Sequence, residues 1–319
     1  MTTALVTGAN GILGRLLIDQ LVGEGVRARA YVRSAVSSAG FPAEVETVEG
    51  DIRDAGAVRR AADGVDAIFH LAAVVHAAGP DERPLSDYVQ INVGGTENVV
   101  AAASRARARV VYVSTINVYG PGQGRVLDET TACRPEGAYA VTKREAETVV
   151  ERLGERATIL RLASVFGRSM KGNYPRLVRA IQRGTFVRPG SGLARKTVVY
   201  ETDVARAATI AASSAAAGGQ VYNVTDGLVH TIDEIIDAIA GAAGVGPPRL
   251  RIPAVWARSA AQGVDIAMRL IGQRARARAS VEKYLEDIAV SGEKIQRQLG
   301  FKSTVDLRRG WQLILERHP

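Results

Sequence analysis

The chain has 319 residues, 46% of them hydrophobic and 23% charged, which is ordinary globular usage and excludes a disordered, collagenous or wholly coiled-coil protein. Lys and Arg outnumber Asp and Glu by 41 to 33, a formal net charge of +8. That balance favours anionic partners, but the arginines form no stripe interleaved with aromatics, so no nucleic-acid partner is expected.

Strand-like segments are predicted at Ala4 to Thr7, Val26 to Val32, Val45 to Val48, Ala67 to Leu71, Val110 to Ser114 and Thr158 to Leu162. Helical patterns lie between them at Ile12 to Val22, Ala55 to Ala62, Ser86 to Ala103 and Ala138 to Leu153. This alternation marks an α/β protein, a Rossmann-type doubly wound parallel sheet. After Gly167 it loosens into a helix near Tyr174 to Arg183, a strand near Thr197 to Val199 and a helix near Asp203 to Ser213. A strand at Val221 to Val224 is placed to return to the sheet edge. Pro247-Pro248 then marks a break, followed by three or so helices. We therefore expect a dinucleotide-binding domain over 1–166, with 197–225 returning to it, and a smaller, mostly C-terminal substrate-binding lobe over 167–319.

No run of 18 apolar residues is present, so neither a signal peptide nor stable membrane insertion is expected. The single cysteine, Cys133, has no internal disulfide partner, and no Cys/His cluster suggests a metal. A reducing, cytoplasmic setting follows as an expectation. His70, His76, His230 and His318 are widely spaced and read as structural. Trp256 and Trp311 read as packing within the C-terminal lobe. Arg274, Arg276 and Arg278 follow an apolar stretch from Val264 to Ile271; between a membrane-surface helix and a solvated basic loop, the loop is the default reading.

The segment Thr7-Gly8-Ala9-Asn10-Gly11-Ile12-Leu13-Gly14 joins the first strand to the first helix. Glycines there permit a sharp turn and close backbone approach, and the helix N-terminus offers N–H groups to a diphosphate. Gly8, Asn10, Gly11, Ile12, Leu13 and Gly14 are thus candidate cofactor residues. At the end of the second strand an acid would hold ribose hydroxyls, whereas an arginine pairs with a 2′-phosphate. Arg33-Ser34 stands there, so the cofactor is read as NAD(P), with NADP favoured over NAD. Asp51 and Ile52 are placed to border the adenine, or to form a solvated turn. Leu71, Ala72 and Ala73 offer small residues beside the nicotinamide ribose.

Tyr139 and Lys143 are four residues apart, on one face of a predicted helix. A phenol ionises near pH ~10, and a neighbouring ammonium favours the phenolate. The preceding strand ends in Val113-Ser114-Thr115, and Thr115 supplies a hydroxyl able to hold a substrate oxygen.

These segments, with His70-Leu71-Ala72-Ala73, Asn92-Val93-Gly94-Gly95-Thr96, Val118-Tyr119-Gly120, Leu160-Arg161, Val165-Phe166-Gly167, Arg195, Asp203 and Tyr222-Asn223, resemble the extended short-chain dehydrogenase/reductases. The resemblance is greatest to their nucleotide-sugar epimerase/dehydratase and 4-ketoreductase branch, and it covers nearly the whole chain. It implies that Tyr139 exchanges the proton, Thr115 assists, Lys143 lowers the phenol pKa and holds the nicotinamide ribose, and Asn92 supports the lysine. It places Val113, Ser114, Ser164 and Val165 along the cofactor, and Lys171, Asn173 and Arg195 at a sugar nucleotide. Arg33 departs from the acid of epimerases that hold NAD, and Ser164 from a common asparagine. The expected activity is hydride transfer at C4 of a UDP- or dTDP-linked hexose, as 4-ketoreductase or 4-epimerase, in a homodimer. Two alternatives stay open: an NADPH-dependent reductase of a hydrophobic ketone, and a dinucleotide-binding sensor without catalysis.

Overall fold

A computed structural model describes residues 1–34, 40–75, 84–122, 124–168, 174–270, 272 and 277–316. Its centre is a seven-stranded sheet of β1 (Thr3–Thr7), β2 (Arg27–Val32), β3 (Glu46–Glu49), β4 (Ala67–His70), β5 (Arg109–Thr115), β6 (Ala157–Leu162) and β7 (Gln220–Val224). The spatial order is β7-β6-β5-β4-β1-β2-β3, and every neighbouring pair is parallel. The chain reverses direction of winding at β1/β4, the switch point above which open α/β sheets bind ligands. The predicted Rossmann-type fold is thus the observed one, and the Val221 to Val224 strand does join the sheet edge, beside β6.

Helices cover both faces because successive strand residues point to opposite sides. Ala4, Val6, Phe69 and Val111 face one layer with Leu17, Ile18 and Leu21 of α1 (Ile12–Gly23) and the alanines of α7 (Glu201–Ser213). Leu5, Ile68, Val110 and Tyr112 face the other, packed with α2 (Ala55–Ala61), α4 (Gly95–Ala106) and α5 (Gly137–Glu151). A strand buried on both faces has no polar alternation, which is why the central strands β1, β4 and β5 read as short apolar runs, whereas the edge strand β3 is largely exposed.

The segment predicted as one helix from Ser86 to Ala103 is α3 (Leu85–Tyr88), a π-helical turn (Val89–Gly94) and α4. The π turn carries Asn92 and re-aims it, as single-turn π bulges do at functional sites. A third core brings Leu177, Val178 and Ile181 of α6 (Tyr174–Gln182) against Ile232, Ile235, Ile236 and Ile239 of α8 (Ile232–Ala242) and Trp311. Thr231 and Glu234 form a reciprocal capping box at the start of α8. Four helices follow Pro248 among the described residues: α9 (Ala254–Leu270), α10 (Ala277–Leu285), α11 (Glu293–Leu299) and α12 (Leu307–Leu315). The fully buried Asp203 ties the last stretch to α7 by accepting from Ser303, Thr304 and the backbone N–H of Val305.

Candidate active site

The dinucleotide loop follows from three glycines, two of which have no space for a side chain. Gly8 has φ +70°, and a Cβ there would stand 2.7 Å from the backbone nitrogen of Ala72. A Cβ on Gly14 would stand 2.4 Å from the carbonyl oxygen of Gly8. Between them Gly11, exposed, donates to the Gly8 carbonyl at 2.9 Å and opens α1 with no side-chain cap and no acid in the first turn. A helix N-terminus left in this state suits a diphosphate, so these residues fit a dinucleotide. Asn10 is exposed at the rim, with Ile12 and Leu13 half-buried beside it.

Beneath the loop runs a buried chain of hydrogen bonds. The Ala72 N–H donates to Thr7 Oγ1 at 3.3 Å, and Thr7 Oγ1 meets His70 Nδ1 at 2.8 Å. His70 Nε2 meets Thr96 Oγ1 at 2.9 Å, and Thr96 donates to the Asn92 carbonyl at 2.5 Å. Because the Thr96 proton is committed to Asn92, His70 carries its proton on Nε2 and accepts from Thr7 on Nδ1. Burial, then the charge of Lys143, push its pKa down to about 3, so the ring is neutral. It joins β1, β4 and the π turn.

Asn92 in turn fixes the backbone that follows β4. Its Oδ1 accepts from the Val74 N–H at 2.7 Å, and its Nδ2 donates to the Val74 carbonyl at 3.2 Å and to Thr142 Oγ1 at 3.1 Å. It reaches Lys143 through that neighbouring threonine. Leu71, Ala72 and Ala73 lie half-buried on the same segment.

Tyr139 and Lys143 occupy successive turns of α5, next to the end of β5. Thr115 shares a hydrogen bond with the Tyr139 phenol, which lowers its pKa, yet burial outweighs this and pushes the phenol up to about 12. Lys143 Nζ donates to the Val113 carbonyl at 2.6 Å and stands 4.0 Å from the centre of the Tyr112 ring. Burial pushes its pKa down to about 7, against an opposing pull from Glu147. Lys143 is not among the causes that set the phenol's pKa, which are burial and the Thr115 hydrogen bond.

Ser114 points the other way. On a strand, its neighbours Val113 and Thr115 share one face, and Ser114 Oγ donates to Glu147 Oε1 at 2.5 Å. Glu147 also takes a forked pair from Arg161 at 3.0 and 2.7 Å, and a second cation, Arg144, at 2.9 Å. The Arg161 guanidinium lies 4.7 Å from the Tyr119 ring, whose hydroxyl donates to Asn223 at 2.8 Å. This buried array ties α5 to β5, β6 and β7 directly behind the tyrosine and lysine. Sequence reasoning quoted Arg161 and Tyr119 but missed Glu147; its spacing of four from Lys143 was the available signal.

The match to known proteins accords with this geometry. Residues 4–225 match the model of the NAD dependent epimerase/dehydratase family. The chain belongs to that family. This epimerase/dehydratase-family enzyme is 29% identical over 98% of its length, and 96% of the relative's, to the 4-hydroxy-2-methyl-3-oxo-4-farnesyl-3,4-dihydroquinoline-1-oxide ketoreductase of Stigmatella aurantiaca. It is 25% identical to the N-acetyl-alpha-D-glucosaminyl-diphospho-ditrans,octacis-undecaprenol 4-epimerase of Escherichia coli O157:H7, covering 98% of this chain and 94% of that one. Among solved structures it is similar to MoeE5 in complex with UDP-glucose and NAD, with a TM-score of 0.75, 25% identity and coverage of 98% and 97%.

The remaining candidate residues of the family enzyme are dispersed. Arg33 is exposed and Ser34 half-buried at the end of β2. Asp51 is forked to Arg53 at 2.9 and 2.7 Å, which holds its pKa down at about 2. Ile52 is buried against Gly95, so its face is spent on the core. Ser164 and Val165 are half-buried on a short strand (Ser164–Phe166) paired with Val198–Tyr200. Arg195, expected at a diphosphate, is held by Asp287 through its backbone N–H and one guanidinium edge, Nε and Nη2, at 2.7, 3.1 and 2.8 Å. Lys171 and Asn173 lie outside the described residues, as do His76, His318, Arg274 and Arg276. Trp311 is 1% exposed, as packing requires, whereas Trp256 is 70% exposed and packs no core. No group of three His, Cys, Asp or Glu among the described residues is placed to hold a metal.

Proposed function

We propose that the chain transfers a hydride between a bound nicotinamide dinucleotide and a carbinol or ketone carbon, with Tyr139 exchanging the proton. The observation that carries this reading is the Thr115 to Tyr139 hydrogen bond, one helical turn from Lys143, at the end of β5 in the same parallel sheet whose first strand leads into the glycine loop. When bound, the cofactor supplies the hydride. In the reducing direction Tyr139 gives its phenolic proton to the carbonyl oxygen as that oxygen gains the C=O electron pair, while the Thr115 hydroxyl holds the same oxygen. The phenolate left behind is favoured by the Lys143 ammonium and recovers its proton from solvent. A phenol pKa near 12 keeps Tyr139 protonated at neutral pH, which suits a reductase. Lys143 has one donor engaged by Val113, leaving the others for ribose hydroxyls. Arg33, with Ser34, supports NADP over NAD, and Asp51 is the candidate adenine contact, Ile52 being taken up by the core.

Two substrate classes have support. Reduction of a hydrophobic ketone is favoured by the Asp287 clamp, which neutralises Arg195 as a diphosphate ligand, and by the name of the farnesyl-quinoline ketoreductase relative. Hydride transfer at C4 of a nucleotide-linked hexose is favoured by the UDP-glucose named with the similar structure; Lys171 and Asn173 would then be its further contacts. The test is NADPH and NADH consumption by the purified chain with a long-chain or isoprenoid ketone and with a UDP-4-keto-hexose. Oxidation of NADPH by the apolar ketone alone is the expected result. Turnover of the keto-sugar alone assigns the second class, and no turnover with either removes both. A homodimer through helices of the sheet is the expected assembly, checked by sedimentation velocity.

A further inference from the structure

Helix α9 is built inside out. Over its seventeen residues only Ala257, Ala261 and Asp265 are buried, a single stripe repeating every four residues. Asp265 accepts from the N–H groups of Ala277 and Arg278 at 2.7 and 3.2 Å, so the inward side caps α10 instead of joining a core. At about 100° per residue the opposite side carries Val255, Trp256, Ile266 and Leu270, which are 69, 70, 51 and 83% exposed. Small residues, Ser259, Ala260, Gly263 and Ala267, fill the spaces between them, while Arg258, Gln262 and Arg269 run along one flank. A surface helix ordinarily turns its charged side outward. Four large apolar side chains in that position, at the end of the chain's least buried helix pair, mark a surface that something covers.

We infer that the outer face of α9 seats this protein on an anionic lipid bilayer as a peripheral, in-plane helix. Charge decides between a bilayer and a second copy. Among the described residues from 249 to 287 there are six Lys and Arg against four Asp and Glu, a surplus of two. Two copies meeting here would bring that surplus together, whereas anionic headgroups complement it. The indole of Trp256 has an apolar body and one polar N–H, which suits the headgroup boundary. No helix among the described residues is long and apolar enough to cross a membrane, so the contact lies on the surface. Of the basic patch read from the sequence as a solvated loop, Arg274 and Arg276 lie outside the described residues and Arg278 stands in α10.

Vesicles of phosphatidylcholine, with and without phosphatidylglycerol, test this directly on the full chain without substrate, so the result is independent of the reaction assigned above. Of the two tryptophans, Trp311 is 1% exposed, and a spectral change on binding therefore reports Trp256. The expected result is flotation with the anionic vesicles only, weakened by salt, with a blue shift of emission and quenching by brominated lipid. Ile266→Glu and Leu270→Glu are expected to lower vesicle affinity at least tenfold while thermal midpoint and dinucleotide affinity stay unchanged. Trp256→Phe keeps flotation but loses the spectral change. Absence of flotation, or equal flotation by the glutamate variants, overturns the inference. So does a vesicle-indifferent dimer that Leu270→Glu splits into monomers, which would give the face to a second copy.

Discussion

The region behind Tyr139 and the α9 hairpin invert ordinary burial in opposite senses. Behind Tyr139, Lys143, Glu147 and Arg161 are all buried, whereas α9 leaves Trp256 and Leu270 in the open. Buried charge persists where each group has partners, because removing one member strands the others in low dielectric. Exposed apolar surface has no internal compensation and points outside the molecule. The first departure therefore speaks of a site held rigid, and the second of a site awaiting contact.

Breaking the first region at its acid/base group has the largest expected effect. Tyr139→Phe is expected to lower kcat by about 10³–10⁴, with dinucleotide affinity by fluorescence titration unchanged; retained turnover would remove the tyrosine from its role. Glu147→Ala, which touches no reacting atom, leaves Arg161 buried without its carboxylate and is expected to destabilise the fold by ~3–5 kcal/mol in denaturant titration. A loss no larger than that of an exposed ion pair would show that water reaches the array.

Lys143 gives a pH signature. Its folded-state pKa is depressed to about 7 from the ordinary 10.5, so between those values the unfolded chain binds the proton and the folded chain does not. Stability of the wild type relative to Lys143→Met is therefore expected to rise from pH 7 to pH 10.5, by at most about 1.4 kcal/mol per pH unit. A flat difference curve from thermal melts would mean the ammonium is solvated. Arg33→Ala is expected to raise KM for NADPH roughly tenfold, as for one lost charged contact, leaving KM for NADH within about twofold. Equal changes for both cofactors would place Arg33 away from a 2′-phosphate. Leu270→Glu is expected to change stability by less than about 0.5 kcal/mol, the smallest effect of all, because the side chain packs against nothing.

Much of this contrast was hidden in the sequence for a physical reason. Tyr139 and Lys143 were legible because four residues in a helix is a local distance, and the Thr7 to Gly14 loop because its glycines answer to local backbone geometry. The Asp287 clamp on Arg195 joins positions 92 apart, and Ser114 turns toward Glu147 across 33; no local pattern encodes either. The π turn that aims Asn92 reads as plain helix, since one extra residue barely alters a 3.6-residue period. Trp256 and Trp311 are equally apolar on paper, and only packing separates them.

By itself, then, the sequence determined the strands, the crossover helices and the placing of Tyr139 and Lys143 on one helix face, all set by periodicity and short-range spacing. Tertiary structure decided which charges are paired, which polar side chains are buried with partners, and which apolar face stays uncovered. Those depend on which distant segments meet, and that is settled only when the sheet and its helices close on one another.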